Sequence, residues 1–476
     1  MPREHPFLLA GEPRRSGLAV DVISPYDGAL VGRTWLAGAD EFEAAADAAV
    51  GAEAPMRALP AWRRSEILLT VSQALRARRD EFGTRLAGEA GKPIKDALVE
   101  VDRASMTFHV AAEEARRLFG EVIPLDLAPH GTGRLALTRR FPLGAVAAIS
   151  PFNFPLNLVA HKLAPAIAAG NPIVLKPATK TPLSAIALAE LIVEAGLPAG
   201  GISVLPMDRA MGDRLVTDSR FKLLTFTGSS AVGWAMKARA GKKKLILELG
   251  GNAGVVIDDT ADVDLAVGRV AMGGFAYAGQ SCISVQRVFL HERIFDTFAS
   301  ALVARLARLE VGDPLDPATD LGPMIEPGEV ARIDAWVREA VARGGRVLTG
   351  GKALSETVYA PTVLADVPED ERVCADEVFA PLVVLTRFAD FTEALAAVNR
   401  STFGLQAGVF TRDLERALRA FEVLEVGGVM VNDVPTFRID HMPYGGVKDS
   451  GLGREGPRYT IEEMTELKLL VINRPT

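Results

Sequence analysis

The sequence predicts an α/β protein built on two buried parallel sheets, with a pair of extra strands outside them. Three observations carry this. Short apolar runs alternate with helical segments between residues 143 and 249, and the alternation resumes at Val255 and continues to about Val431. Two extended segments, Arg134–Arg140 and Glu466–Ile472, belong to neither block. Strands alternating with helices make βαβ units, whose parallel strands are covered on both faces and read as continuous apolar runs.

The first third reads as helical. Asp40–Val50 is alanine-rich, and Trp62–Glu89 and Ile94–Phe119 carry apolar residues at helical spacing. The runs Leu143–Ile149, Ile173–Leu175, Ile202–Leu205, Leu223–Phe226 and Leu245–Leu249 then read as strands. Leu156–Ala169, Leu183–Ala195, Arg209–Thr217 and Ala231–Ala240 read as the helices between them. Thr181 is placed to N-cap a helix with Pro182 in its first position, while Gly196 and Pro198 stop it. A domain boundary falls near Gly250, where one sheet ends and the next begins. Arg134–Arg140 and Glu466–Ile472 are extended, and the second is too apolar to stand alone. Pairing between chains is one way to satisfy such edges, so an oligomer is expected.

Composition narrows the class. The 476 residues suit two to four domains' worth of core, and 49% hydrophobic with 24% charged residues is ordinary globular usage. A net charge of −7 argues against a general nucleic-acid binder. The only cysteines, Cys282 and Cys374, exclude a disulfide framework and point to a reducing cytoplasm. The FLLA run near the N-terminus is too brief for a secretory signal. The most apolar region, Leu143–Leu175, is interrupted by Asn153, Asn157, His161, Lys162 and several prolines, so no membrane span is expected. No metal site is expected either.

No GxGxxG fingerprint follows any strand. Phe226-Thr227-Gly228-Ser229 instead ends a strand and opens a helix containing Gly233; it is a plain turn or a phosphate-binding helix start. Lys176 ends another strand, where α/β sheets bind ligands, or is a solvated loop lysine. Cys282, among Gly, Gln and Ser, suits a loop better than a core. Glu248 is a carboxylate inside the apolar strand Leu245–Leu249. Burial would raise its pKa and make it a base usable near neutrality, unless it pairs with a lysine. Asn153, in Pro151-Phe152-Asn153-Phe154-Pro155, is either a turn residue or a donor to a developing oxyanion.

These segments carry a resemblance. PFNFP, LKPA, FTGS, LELGGN, GQSC, DEVFAP and PYGGVKDSGLGREG occur in that order, and the chain resembles the aldehyde dehydrogenase superfamily over nearly its whole length. The resemblance implies a Rossmann-like cofactor domain (1–120 and 141–249), an α/β catalytic domain (250–450) and a small β oligomerisation arm (121–140 and 451–476). It implies a homodimer or homotetramer that oxidises an aldehyde to an acid with NAD or NADP. Cys282 matches the nucleophile, Asn153 the oxyanion donor and Glu248 the base for thioester hydrolysis, which favours a hydrolytic over a CoA-acylating enzyme. Lys162 and Glu455 match a proton relay, or form an ordinary salt bridge. For the cofactor, the resemblance implicates Ser150, Phe152, Lys176, Gly228, Ser229, Val232, Glu377 and Phe379, with Ala380 where the motif has Gly.

Two departures bear on specificity. NAD-preferring members often carry a glutamate where this chain has Thr179, and Lys180 adds a positive charge, so NADP is favoured. Arg103, His161 and Arg438 match positions that can border the aldehyde tunnel, which points to a short polar or anionic aldehyde of lactaldehyde, glyceraldehyde or semialdehyde type. The alternative is that Arg103 and Arg438 form structural ion pairs. Phe154 and Ser281 depart from the phosphonoacetaldehyde-type pattern. Competing functions are a cofactor-independent cysteine esterase or a non-catalytic family member; Cys374 has no assigned role.

Overall fold

The apolar runs between residues 143 and 249 become strands. In the computed structural model, which describes residues 3–474, Val146–Ile149, Ile173–Lys176, Ile202–Val204, Leu223–Thr227 and Lys244–Glu248 lie parallel in one sheet. Their spatial order is third, second, first, fourth, fifth, so the order reverses at Val146–Ile149. Sheets of this kind hold ligands beyond the strands' carboxyl ends at that reversal. Helices Asn157–Ala169 and Leu183–Glu194 share one face with the N-terminal helices Ala61–Ala77 and Ile94–Glu114. Ala39–Gly51, Arg209–Thr217 and Ser230–Arg239 cover the other. Every residue of Asn157–Ala169 is buried, including His161 and Lys162.

The second sheet runs in the order Arg346–Thr349, Thr362–Ala365, Leu382–Phe388, Val285–His291, Ala253–Ile257, Gln406–Phe410 and Gly428–Val431. It is parallel except for its first strand. The residues between Glu248 and Ala253 join the two sheets. The carboxyl edge of the first therefore meets the amino edge of the second. Cys282 precedes Val285–His291 and Glu377 precedes Leu382–Phe388, both at that amino edge.

Several expectations need correction. The first third is not purely helical: Phe7–Leu9 and Glu12–Arg14 extend the first sheet, and Leu18–Ile23 pairs with Leu30–Leu36 as a hairpin. These strands are short or largely exposed, so no clean alternation of apolar residues marks them. Trp62–Glu89 is two helices, Ala61–Ala77 and Arg79–Ala90, broken at Arg78, where ψ is 27°. Thr181 does not cap the next helix. Its hydroxyl donates to the Phe152 carbonyl, and the buried Glu89 carboxylate accepts from Leu183 N (2.8 Å) and Ser184 N (2.9 Å) instead. A carboxyl from a neighbouring helix thus replaces the local cap as acceptor.

The two outlying strands pair with each other. Thr465–Asn473 runs antiparallel to Arg134–Pro142, which also holds Val122–Pro124. Gly451–Leu452 lies not with them but at the edge of the first sheet beside Leu247–Glu248. Leu467, Leu469 and Leu470 on the outer strand are exposed.

Candidate active site

The site forms where the two sheet edges meet. Glu248 ends its strand with a buried side chain, and neither carboxylate oxygen has a hydrogen-bond partner among the described residues. Burial raises its pKa well above the carboxylate range and the neighbouring Glu455 raises it further, while Arg438 and Lys162 oppose. A Cβ at Gly445 would sit 2.8 Å from Glu248 Oε1, and Gly445 has φ +150°, so glycine keeps this carboxylate clear.

Cys282 sits in the tight loop before Val285–His291. Tyr277 and Ala278 enter it with left-handed φ of 48° and 53°, a costly conformation for side-chain-bearing residues. Tyr277 is anchored by donating its hydroxyl to the Ala90 carbonyl (2.9 Å). On the other side, a Cβ at Gly251 would collide with the Cys282 carbonyl, so the tether between the sheets and the cysteine loop pack backbone to backbone. Asn153 Nδ2 donates to Gln280 O (3.0 Å), which sets the amide beside that loop. Cys282 Sγ lies 3.0 Å from the Tyr444 hydroxyl. Burial pushes the thiol up to about 12, against the Tyr444 contact, which lowers it.

Behind Glu248 stands a buried ionic cluster. Lys162 Nζ reaches Thr227 Oγ1 (2.7 Å), Thr225 Oγ1 (3.1 Å) and Glu455 Oε1 (3.3 Å). Burial works against the Glu455 charge, but Lys162, His161 and Arg438 outweigh it and hold its pKa below the usual range. Arg438 Nη2 lies 3.3 Å from Glu455 Oε2 and 3.2 Å from His161 Nε2, and its guanidinium stacks 3.6 Å from the Tyr444 ring centroid. Asp440 gathers Arg103 (2.9 and 3.1 Å), Asn157 Nδ2 (2.9 Å) and His161 Nε2 (2.9 Å). Both arginines are therefore engaged by internal carboxylates, as the ion-pair alternative had it. Arg438 keeps one donor, Nε, that is buried without a partner among the described residues. Burial, and then Arg438, lower the His161 pKa.

The cofactor candidates collect beyond the reversal of the first sheet. Lys176 ends, and Ser150 and Gly228-Ser229 follow, three adjacent parallel strands, and Ser150 Oγ is buried without a partner among the described residues. Ser229 precedes helix Ser230–Arg239, which has no side-chain cap and so leaves its first N–H groups available. Gly233 and Val232 lie in its first turn. Glu377 accepts from Gly251 N (2.9 Å), and burial brings its pKa to about 7. Phe379, with φ 49°, meets the Phe152 ring edge-on at 5.9 Å. This arrangement suits a dinucleotide lying from the Ser229 helix to Glu377. Thr179 Oγ1 donates to Met207 O (3.3 Å). Lys180 is not a free positive charge: it pairs with Glu326 (2.5 Å) at a cleft of about 690 Å³.

Sequence reasoning missed Tyr444, Asp440, Glu100 and Lys92. The first two lie within segments already singled out, PYGG and Phe437–Asp440, but no spacing shows what they touch. Glu100 Oε1 accepts from Leu156 N (2.9 Å) and Asn157 N (3.0 Å), just after the Asn153 segment. Lys92, paired with Glu100, lies 3.7 Å from the Phe154 ring centroid and 4.5 Å from that of Tyr277, between the two loops. Only the fold brings these together.

Known proteins share this sequence and fold. The aldehyde dehydrogenase family profile matches residues 13–470. The 3-sulfolactaldehyde dehydrogenase of Priestia aryabhattai is 46% identical, over 87% of this chain and 86% of that one. Aldehyde dehydrogenase 21 from Physcomitrella patens, solved with the reaction product succinate, is 46% identical with a TM-score of 0.98, covering 100% of this chain and 99% of that one. The glyceraldehyde-3-phosphate dehydrogenase GapN of Methanocaldococcus jannaschii, solved with NADP, is 40% identical with a TM-score of 0.92, covering 97% and 99%. The chain belongs to the aldehyde dehydrogenase family, as an oxidoreductase that oxidises an aldehyde with NAD(P).

Proposed function

We propose that the substrate is a short aldehyde bearing an anionic group, oxidised to the acid on Cys282. The observation that carries this is the pair of arginines beside the reacting groups. Arg438 stacks on the tyrosine that touches Cys282 Sγ, with its Nε unspent, and Arg103 lies 5.9 Å from the ring of Phe154, next to Asn153. Guanidinium forks suit carboxylate or sulfonate groups. Relatives named for 3-sulfolactaldehyde, and solved with succinate, agree with such a substrate.

Cys282 thiolate adds to the aldehyde carbon, and Asn153 Nδ2 with the Cys282 backbone N–H steadies the oxyanion. When bound, the oxidised nicotinamide supplies the acceptor for the hydride that this carbon loses, which leaves a thioester on Cys282. Glu248 then takes a proton from the attacking water, the acid departs and the thiolate returns. Lys162 and Glu455 tune Glu248 and pass its proton onward.

Lys176, Ser229, Glu377 and Phe379 hold the cofactor, with Ser150, Phe152, Gly228 and Val232 alongside. Thr179 places no carboxylate where a 2′-phosphate would lie, which supports acceptance of NADP. Lys180 contributes once it leaves Glu326, an exposed pair of small worth. The protein works in a reducing cytoplasm, where the thiol stays unoxidised. Its chain divides into the cofactor sheet, the catalytic sheet and the arm, and copies associate through the free edge of Thr465–Asn473.

The test is a panel of anionic, neutral polar and aliphatic aldehydes with both cofactors, on the parent, Cys282→Ala, Arg103→Ala and Arg438→Lys. Cys282→Ala should abolish nicotinamide reduction. The arginine variants should raise KM for anionic aldehydes by about tenfold or more, ~1.4 kcal/mol, relative to the KM for propanal, separately from any loss of kcat that Arg438→Lys causes for every aldehyde through Tyr444. Equal KM values across the panel would overturn the anionic reading, and a large kcat/KM preference for NAD would overturn that for NADP.

A further inference from the structure

We propose that Tyr444 is a further catalytic residue: its hydroxyl donates a hydrogen bond to the Cys282 thiolate and sets how much of the nucleophile is ionised. The inference rests on Cys282 being that nucleophile. Three observations carry it. The hydroxyl lies 3.0 Å from Sγ. The residue is held by a reciprocal backbone bridge, Tyr444 N to Glu455 O (3.0 Å) and Glu455 N to Tyr444 O (2.6 Å), so the buried ring is held in place. The Arg438 guanidinium carbon lies over that ring, 3.6 Å from its centroid. A cation over a phenol ring withdraws electron density and strengthens the O–H as a donor.

The surroundings explain why such a donor is needed. The groups facing Cys282 besides Tyr444 are Glu377, Glu248 and Arg438. Burial and both carboxyls oppose a negative sulfur. Arg438 favours it, from a position over the Tyr444 ring rather than in a hydrogen bond to the sulfur. The tyrosine hydroxyl is thus the one side-chain donor recorded on the sulfur among the described residues. When the thiol ionises, its proton leaves to water, the sulfur keeps the electron pair that attacks the aldehyde carbon, and Tyr444 retains its own proton throughout. Glu455 links the two halves of the site, since its backbone holds Tyr444 while its carboxylate binds Arg438 and Lys162.

Tyr444→Phe keeps the ring, the stacking on Arg438 and the backbone bridge, and removes only the donor. Cys282 is alkylated with iodoacetamide across a pH series in the parent and in Tyr444→Phe, each checked for an unchanged melting midpoint. The proposal expects the variant's alkylation profile to move to higher pH by about one unit, which is about tenfold slower reaction at fixed pH on the rising limb. Site-specific 3-fluorotyrosine at position 444, a more acidic donor of nearly the same shape, should move the profile the other way and serves also if Tyr444→Phe does not fold. Profiles that coincide with the parent's in the variant that folds overturn the proposal. Aldehyde oxidation persisting in Cys282→Ala would instead strike at the assignment of the nucleophile, so the two failures are distinct.

Discussion

Glu248 is the residue whose surroundings explain most about turnover. It is a carboxyl with no hydrogen-bond partner, pushed towards its protonated form by burial and by Glu455. In the proposed mechanism it is the base of hydrolysis, after hydride has left, so removing it should separate the two halves of the reaction. Glu248→Gln is expected to give a burst of about one reduced cofactor per site, followed by turnover slowed by about 10²–10⁴-fold. Stopped-flow absorbance with excess aldehyde checks this; loss of the burst along with turnover would place Glu248 in the first step instead. The residue was visible in the sequence because a carboxylate in an apolar strand is conspicuous. Tyr444 was not, because its meaning lies in a sulfur far away in sequence and an arginine whose stacking no pattern encodes.

At the scale of elements, periodicity served well where a segment was buried on both faces. The strands of the first sheet and the helices between them could be read to within a few residues, because parallel strands and covered helices leave little choice of residue. It failed at the edges and at the caps. The hairpin Leu18–Ile23/Leu30–Leu36 is too exposed to alternate cleanly, and the start of Leu183–Glu194 takes its cap from Glu89 on a distant helix. That cap has a pH signature. Burial raises the Glu89 pKa from 4.5 to about 7. A carboxyl raised on folding contributes stability fully present below its unfolded pKa, and this is lost as pH rises through the folded value. The gap in melting midpoint between the parent and Glu89→Gln should therefore shrink between about pH 4.5 and 7; a gap independent of pH would show that Glu89 does not titrate there.

For the whole molecule, the sequence displayed two sheets, a break near Gly250 and two outlying strands, and the structure pairs those strands with each other. Pairing between chains is already expected from their apolar character; the structure adds which side stays free. Thr465–Asn473 has no strand beyond it, and carries Leu467, Leu469 and Leu470 into solvent in a single chain. An apolar edge of that length is a template for another chain. Replacing Leu467 and Leu469 by lysine should shift the protein to a smaller species in sedimentation velocity without lowering its helix content. A parent that already sediments as a monomer would refute association through this edge. No helix among the described residues is long and apolar enough to cross a membrane.

The short tether from Leu249 to Asn252 has a consequence for how such enzymes diversify. Groups that would tell one cofactor from another, Thr179 and Lys180, follow a strand of the first sheet, and Glu326, paired with Lys180, lines the same cleft. Groups that would tell one aldehyde from another, Arg103 and Arg438, sit away from that cleft, around Asp440. If each set has its proposed role, a substitution in one leaves the contacts of the other in place. The tether itself has almost no freedom, because Gly251 lies against the cysteine loop and admits no side chain. It is the fixed joint around which new specificities can accumulate.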